Sequence, residues 1–189
     1  ANGWEDGQTG NYTGTGYLNK KFVHTAFQNG PVHYPYPVIR MAEMYLNLAE
    51  ILIELDALEN TTGRLEEAKG LIDKIRVRAG IPTIDEAWKK ANHPEKANTA
   101  EGLREIVRRE RQIEFYLENQ RFWDLRRWKD AGILGEKVWG MNIEGDTDET
   151  FFVPTELQNI RTFKQAQYLM PIPMTETNKV PHIVQNPGY

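Results

Sequence analysis

From Val38 onward the chain takes up a helical period. Met41, Tyr45, Leu48, Leu52 and Leu55 recur at spacings of three and four, with Ala42 and Ala49 at positions that allow close approach. This predicts a first helix ending near Leu58. Asn60, Thr61, Thr62 and Gly63 form a turn, after which Leu65, Ala68, Leu71, Ile72 and Ile75 mark a second helix. Gly80 just past its last turn and Pro82 beyond it place its end near Ala79. Thr83 with Glu86 three residues later is a capping box for a short helix reaching about Lys90. The polar stretch Asn92 to Asn98 reads as a loop, and Thr99 caps a long helix that runs to about Glu118.

That long helix carries an anomaly. Leu103, Ile106, Val107, Ile113 and Leu117 form one apolar stripe at about 100° per residue, and Glu110 and Glu114 fall inside it. A carboxylate on a buried face needs a cation and hydrogen bonds, so Arg76, Arg78, Arg121 and Arg126 are the expected counter-ions. A fourth helix follows, with Phe122, Leu125 and Trp128 on its apolar side and Gly132 at its end.

Outside these helices the pattern weakens. Residues 1–37 are rich in Gly, Asn, Thr, Pro and aromatics and read as loops with short extended pieces. Residues 133–167 show no sustained period and predict a long wrapping segment, and MPIP and QNPGY predict a stiff extended tail. Short-linked helix pairs in series are the plan of helical-hairpin repeats. The expected fold is mainly α: tetratricopeptide-like helix-pair repeats in an α-α superhelix, with long irregular loops and an extended C-terminal tail. One domain over residues 1–189 is expected, comprising a lead-in to residue 37, repeats over 38–130, and a wrapping segment and tail over 131–189. The distance from Ala49 to Ala68 is longer than a tetratricopeptide repeat normally allows.

Composition narrows the function classes. At 189 residues and 40% hydrophobic content the chain has enough apolar surface for a core. A net charge of -4 provides no broad basic field, which disfavours nucleic acid. The arginines around residues 104–127 are nearly cancelled by Glu101, Glu105, Glu110, Glu114, Glu118 and Asp124. No apolar run approaches the roughly 20 residues needed to span a bilayer. The chain contains no cysteine, which excludes disulfides, thiolate nucleophiles and sulfur-ligated metals. Its start has no signal-peptide pattern, so any export signal is expected to have been removed or to lie upstream.

Candidate chemistry is sparse. His24, His33, His93 and His182 are scattered without ligand spacing, and Asp146, Asp148 and Glu149 read as a solvated acidic turn rather than a calcium loop, so no metal or cofactor is expected. Glu110 and Glu114 have the proximity of a glycosidase pair, but neighbours on one helix face point the same way, whereas a hydrolase flanks the scissile bond from two sides. Flat aromatic rings on loops suit the apolar face of a sugar, and Trp4, Tyr12 and Tyr17 lie among Asp6, Gln8 and Asn11, with Trp139 the next candidate. Trp123 and Trp128 are expected to be packed.

The segments IRMAEMYLNLAEILIEL, IRVRAGIP, RRERQIEFYLENQRFWDLRRWK, LMPIP and QNPGY, in this order, closely resemble the C-terminal half of the SusD/RagB family. The resemblance covers Val38 to Tyr189, and TGYLNKKF extends it toward the front. It implies a surface-exposed outer-membrane lipoprotein that captures glycans or other nutrients and hands them to a SusC-like TonB-dependent transporter, by binding rather than catalysis. It also implies a lipid anchor on a cysteine that this chain does not contain, so that the membrane is met only through an absent segment. Much of the family's ligand surface comes from loops outside the helical repeats, including the N-terminal half. The alternatives are a tetratricopeptide-like protein interaction module without sugar binding, and a glycan-degrading enzyme using the acids above.

Overall fold

In the computed structural model, Thr13 and residues 15–23, 36–157 and 161–189 are described. Among them the chain forms α1 (Met41–Glu59), α2 (Leu65–Arg78), α3 (Ile84–Trp88), α4 (Ala100–Glu114), α5 (Gln120–Arg127), α6 (Asp148–Phe151) and α7 (Met174–Lys179), with strands β1 (Trp139–Met141) and β2 (Pro154–Glu156). The fold is mainly α. The chain divides into two compact units, His24–Arg121 on one hand and Ala1–Val23 with Phe122–Tyr189 on the other.

In the helical unit, α1 packs on both α2 and α4. Leu46, Ala49, Ile53, Ala68, Ile72, Ile84, Leu103 and Val107 are wholly shielded from solvent. Each fully buried Leu, Ile or Val of this set contributes roughly 1.5–3 kcal/mol of transfer free energy. The buried residues of α1 are Ala42, Leu46, Ala49, Glu50, Ile53 and Asp56, whereas Met41, Leu48 and Leu55 of the expected stripe lie at the surface. Tyr45 and Leu52 sit between the two seams, partly buried against the core. The reason is that α1 is apolar around most of its circumference, so periodicity offers two seams. The inward one contains the alanines, which permit close helix contact.

The links between helices are built by specific side chains. Asn60 takes a left-handed conformation at the end of α1. The buried Asp56 carboxylate organises the turn, accepting hydrogen bonds from the Thr61 hydroxyl (2.7 Å), the Arg64 backbone N–H (2.7 Å) and the Arg64 guanidinium (2.9 Å). After α2, Gly80 has φ +74, which lets the Ile81 N–H reach the Arg76 carbonyl at 3.0 Å and close the helix. The Thr83–Glu86 capping box starts α3, and Asp73 accepts the Ile84 N–H at 2.8 Å. Thr99 caps α4 through the Gly102 N–H at 3.1 Å, and Gly102 lies so close to the Lys96 backbone that a Cβ would stand 2.3 Å from its carbonyl oxygen.

Helix α4 stops at Glu114 rather than Glu118. Leu117 and Asn119 take left-handed conformations, and Ile113 and Leu117 are exposed, so the apolar stripe holds only as far as Val107. Beyond it the buried face continues with Glu110 and Arg111. Helix α5 likewise ends at Arg127, and Gly132 falls in a 3-10 turn, Ala131–Gly135.

In the second unit, β1 and β2 pair antiparallel with Trp139 opposite Glu156 and Met141 opposite Pro154. Strands of three residues are too short to display a period of two, which is why residues 133–167 read as aperiodic. The tail is clipped to itself. Gln185 exchanges hydrogen bonds with the Ile172 backbone, both at 2.8 Å, while Asn186 donates to the Met170 carbonyl and the Tyr189 hydroxyl to the Leu169 carbonyl. The expected extended tail is interrupted by α7, which Pro173 precedes.

Burial alone would raise the Asp56 carboxyl, but the donors from Thr61 and Arg64 hold it below the ordinary carboxylate range. A carboxyl lowered on folding stabilises the protein above its unfolded value of about 4, and that contribution disappears as pH falls through the folded value. The gap in urea midpoint between wild type and Asp56→Asn is therefore expected to be wide at pH 7 and to close in strong acid. A gap that does not change with pH would show that the charge of Asp56 is not what holds the turn.

Candidate functional site

In the helical unit, Glu110, Glu114, Arg76 and Arg78 of the charged residues singled out in the sequence gather around the C-terminal end of α4. Glu110 is buried and bonded to Arg76 of α2, whose Nε also donates to the Pro82 carbonyl at 2.7 Å. Glu114 accepts from Arg78 through both carboxylate oxygens at 2.7 Å and from Arg40 Nη1 at 2.7 Å. Arg40, just before α1, also grips both oxygens of Glu118 at 2.7 Å and donates to the Glu114 carbonyl at 3.2 Å. That contact places a cation on a helix C-terminus, where the backbone dipole favours it. Arg40 and Arg111 each carry a guanidinium over the ring of the buried Phe115, at 5.5 and 5.2 Å.

Arg126 plays a different part. It lies in the other unit, stacks over the Phe122 ring at 3.5 Å and donates to the Phe122 carbonyl at 3.1 Å. Arg121 is half-buried at the start of α5. Sequence reasoning missed Arg40. Its signal was present in α4, where carboxylates at positions 110, 114 and 118 share one face and call for more guanidinium donors than IRVRAG supplies.

Beside Glu110 a cleft of about 340 Å³ is lined by Trp88, His93, Lys96, Glu105, Arg109 and Glu110. Its carboxylates are engaged, Glu110 by Arg76 and Glu105 by Lys96. A hydrolytic pair requires two carboxyl groups facing one bond from opposite sides. Here Glu105, Glu110 and Glu114 are each engaged by a guanidinium or ammonium group.

In the second unit several aromatic rings are exposed, together with aliphatic side chains such as Leu18, Met174 and Val184. Trp139 on β1 and Tyr17 are both more than half exposed, at 56% and 58%. They belong to one small layer: the Thr15 carbonyl accepts the Met141 N–H at 2.9 Å, and each ring lies two residues from that bond. A Cβ on Gly140 would stand 2.8 Å from Thr15 Cα, so the two strips of backbone lie against each other. Glu156 faces Trp139 across the β-ladder and pairs with Lys137 at 2.7 Å. This sets a carboxylate and an ammonium beside an open indole face. Phe152 and Trp123 are also exposed, the latter against the expectation that it packs; Leu125 and Asp124 take the buried face of α5 instead. Trp4 and Tyr12 lie outside the described residues. Glu156 and Lys137 left no sequence signal, because their place beside Trp139 depends on non-local strand pairing.

Other candidates have simple structural roles. Among the described residues no three His, Asp or Glu side chains gather as a metal site. The acidic turn near residue 148 starts α6, with the Glu149 carboxyl held low by its own backbone N–H and the Thr147 hydroxyl.

The SusD family model matches residues 2–189. Solved structures with similar sequence and fold include a protein named BT4246, at 32% identity and a TM-score of 0.67, matching 84% of this chain and 25% of its own. A SusD-like protein of Bacteroides fragilis, BF3747, has 36% identity and a TM-score of 0.60, over 82% of this chain and 28% of its own. A SusD-like carbohydrate-binding protein of the same species, BF0978, has 30% identity and a TM-score of 0.53, over 77% and 28%. The chain thus spans about a quarter of the length of these relatives. No protein with a curated description matches it.

Glu114 is the acid on which the fork of Arg40 and the end of α2 converge. Glu114→Ala is expected to lower unfolding stability by about 2–4 kcal/mol, since it strips a carboxylate from two guanidinium groups. A urea titration giving the wild-type midpoint would remove the basis for assigning this cluster a structural role.

Proposed function

Because the chain belongs to the SusD family, we propose that it is the C-terminal portion of a surface nutrient-capture protein, which binds carbohydrate and delivers it to a SusC-like TonB-dependent transporter. The observation that carries the reading is Trp139, an exposed indole on a hairpin with Glu156 and Lys137 beside it. An open aromatic face covers the apolar C–H face of a pyranose, and neighbouring charged groups bond its hydroxyls. Tyr17 extends the surface along the same layer.

The protein works by binding, with no reaction at the α4 carboxylates, whose engagement by arginine supports a scaffold role. Its place is the outer-membrane surface, held by a lipid anchor outside these residues. No helix among the described residues is long and apolar enough to cross a membrane. The related Bacteroides fragilis protein BF0978 is a SusD-like carbohydrate-binding protein, which supports the ligand class.

Titration of the chain with a panel of soluble oligosaccharides, followed by tryptophan fluorescence and calorimetry, tests the reading. At least one glycan is expected to bind, and Trp139→Ala to weaken it about tenfold, the scale of losing one stacked ring worth roughly 1.5 kcal/mol. Binding unaffected by Trp139→Ala would move the site elsewhere. Release of reducing sugar by wild type and not by Glu110→Gln would replace binding with hydrolysis.

A further inference from the structure

The cleft of about 340 Å³ beside Glu110 lies wholly within the helical unit, lined by residues of α3, the 3-10 turn Pro94–Asn98 and α4. Its volume stands at the lower end of the roughly 300–1,000 Å³ of small-molecule sites, which suits a compact ligand. Trp88 and Ile106 supply apolar wall. Ile106 is buried, and Trp88 packs on the core with the Arg76 guanidinium over its ring at 5.6 Å, so the ion pair that holds Glu110 also fixes the indole. The charges around that wall do not all cancel. Glu110 is held by Arg76, Glu105 by Lys96, and His93 lies 3.2 Å from Glu95. Arg109 is left over. Glu105, one helical turn away and its natural partner, is taken by Lys96. Arg109 is exposed, and among the described residues its guanidinium meets the Gln112 side-chain carbonyl at 3.3 Å and no carboxylate.

We infer that this cleft is a second ligand site, separate from the Trp139 surface, and that it takes a sugar ring carrying a carboxylate. Trp88 and Ile106 meet the apolar C–H face of the ring. The Arg109 guanidinium takes the carboxylate through two parallel N–H···O bonds, a planar fork that lysine cannot form. Asn92 and the Lys96–Glu105 pair supply donors and acceptors for ring hydroxyls. The charge count selects a carboxylate over a phosphate. One guanidinium is uncompensated, whereas a doubly charged phosphate would stand beside both Glu105 and Glu110 in the same wall. On a chain of net charge -4 this attraction is local to the cleft. The sugar class rests on the proposed function; the acid group is what the cleft adds to it.

The test is calorimetric titration of the 189-residue chain carrying Trp139→Ala, which removes the other proposed platform, with galacturonate and glucuronate disaccharides and with their neutral methyl esters. The acids are expected to bind. Esterification of the sugar and Arg109→Gln are each expected to weaken binding by about tenfold or more, the scale of one lost charge-assisted pair. Arg109→Gln is expected to keep the wild-type urea midpoint, since this exposed guanidinium meets only Gln112 among the described residues. Lys179→Gln removes the same charge from α7 in the other unit and is expected to leave the affinity unchanged. Acids that do not bind at millimolar concentration, or that bind Arg109→Gln as well as the parent, would overturn the inference. Equal losses in Arg109→Gln and Lys179→Gln would reduce it to diffuse attraction, and tighter binding of inorganic phosphate would overturn the choice of ligand. Neutral glycans that bind through Trp139 while uronates show no dependence on Arg109 would remove this site and leave the proposed function standing. Arg109-dependent uronate binding, with neutral glycans indifferent to Trp139→Ala, would do the reverse.

Discussion

The helical unit depends on how its buried charge is neutralised at the end of α4. Glu110 and Glu114 on α4 and Glu118 just beyond its end project toward neighbouring elements, and water is largely excluded from all three side chains. Removing an ion from water carries a penalty of several kcal/mol that only close, hydrogen-bonded counter-ions offset. Those counter-ions come from separate pieces of chain: Arg76 and Arg78 from α2, and Arg40 from the entry to α1. On the other side, Arg111 donates to Asn47 and Arg104 forms a two-pronged bond with Glu54, both on α1. Apolar packing alone permits several slightly different helix registers, whereas these paired geometries are satisfied by one.

This explains what the ordered motifs of the chain have in common. IRVRAGIP supplies Arg76, Arg78 and the Gly80 turn, RRERQIEFYLE supplies the carboxylates, and IRMAEMY supplies Arg40. They are three sides of one cluster. LMPIP and QNPGY are likewise partners, the backbone of one satisfied by Gln185, Asn186 and Tyr189 of the other. Motifs separated in sequence mark surfaces that touch, and their chemistry is that of a scaffold. The groups proposed to meet a ligand, Trp139 on β1 and the exposed Tyr17, stand outside those contacts.

The parts legible in the sequence were those set by local rules. The caps at Thr83 and Thr99 and the glycine stop at Gly80 obey backbone chemistry within a few residues, and the structure has them in place. The parts that were not legible depend on distant partners. Which side of α1 faces inward is decided by α2 and α4; periodicity picked out a stripe of which Tyr45 and Leu52 pack against the core while Met41, Leu48 and Leu55 lie at the surface. The end of α4 is set by the left-handed turn at Leu117 and the grip of Arg40, neither of which has a compositional signature. The β-hairpin and the neighbours of Trp139 arise from pairing across a dozen residues or more.

The most direct measurement of the central claim, that paired buried charge fixes the helical unit, is a double-mutant cycle on Arg76 and Glu110 using unfolding free energies. Arg76→Met or Glu110→Leu alone is expected to cost about 3–5 kcal/mol, because each leaves a buried charge without its partner. The double change, which removes both charges and keeps the volume, is expected to cost far less than the sum. Two single costs that simply add in the double variant would contradict the account, since they would show that Arg76 and Glu110 stabilise the fold independently of each other.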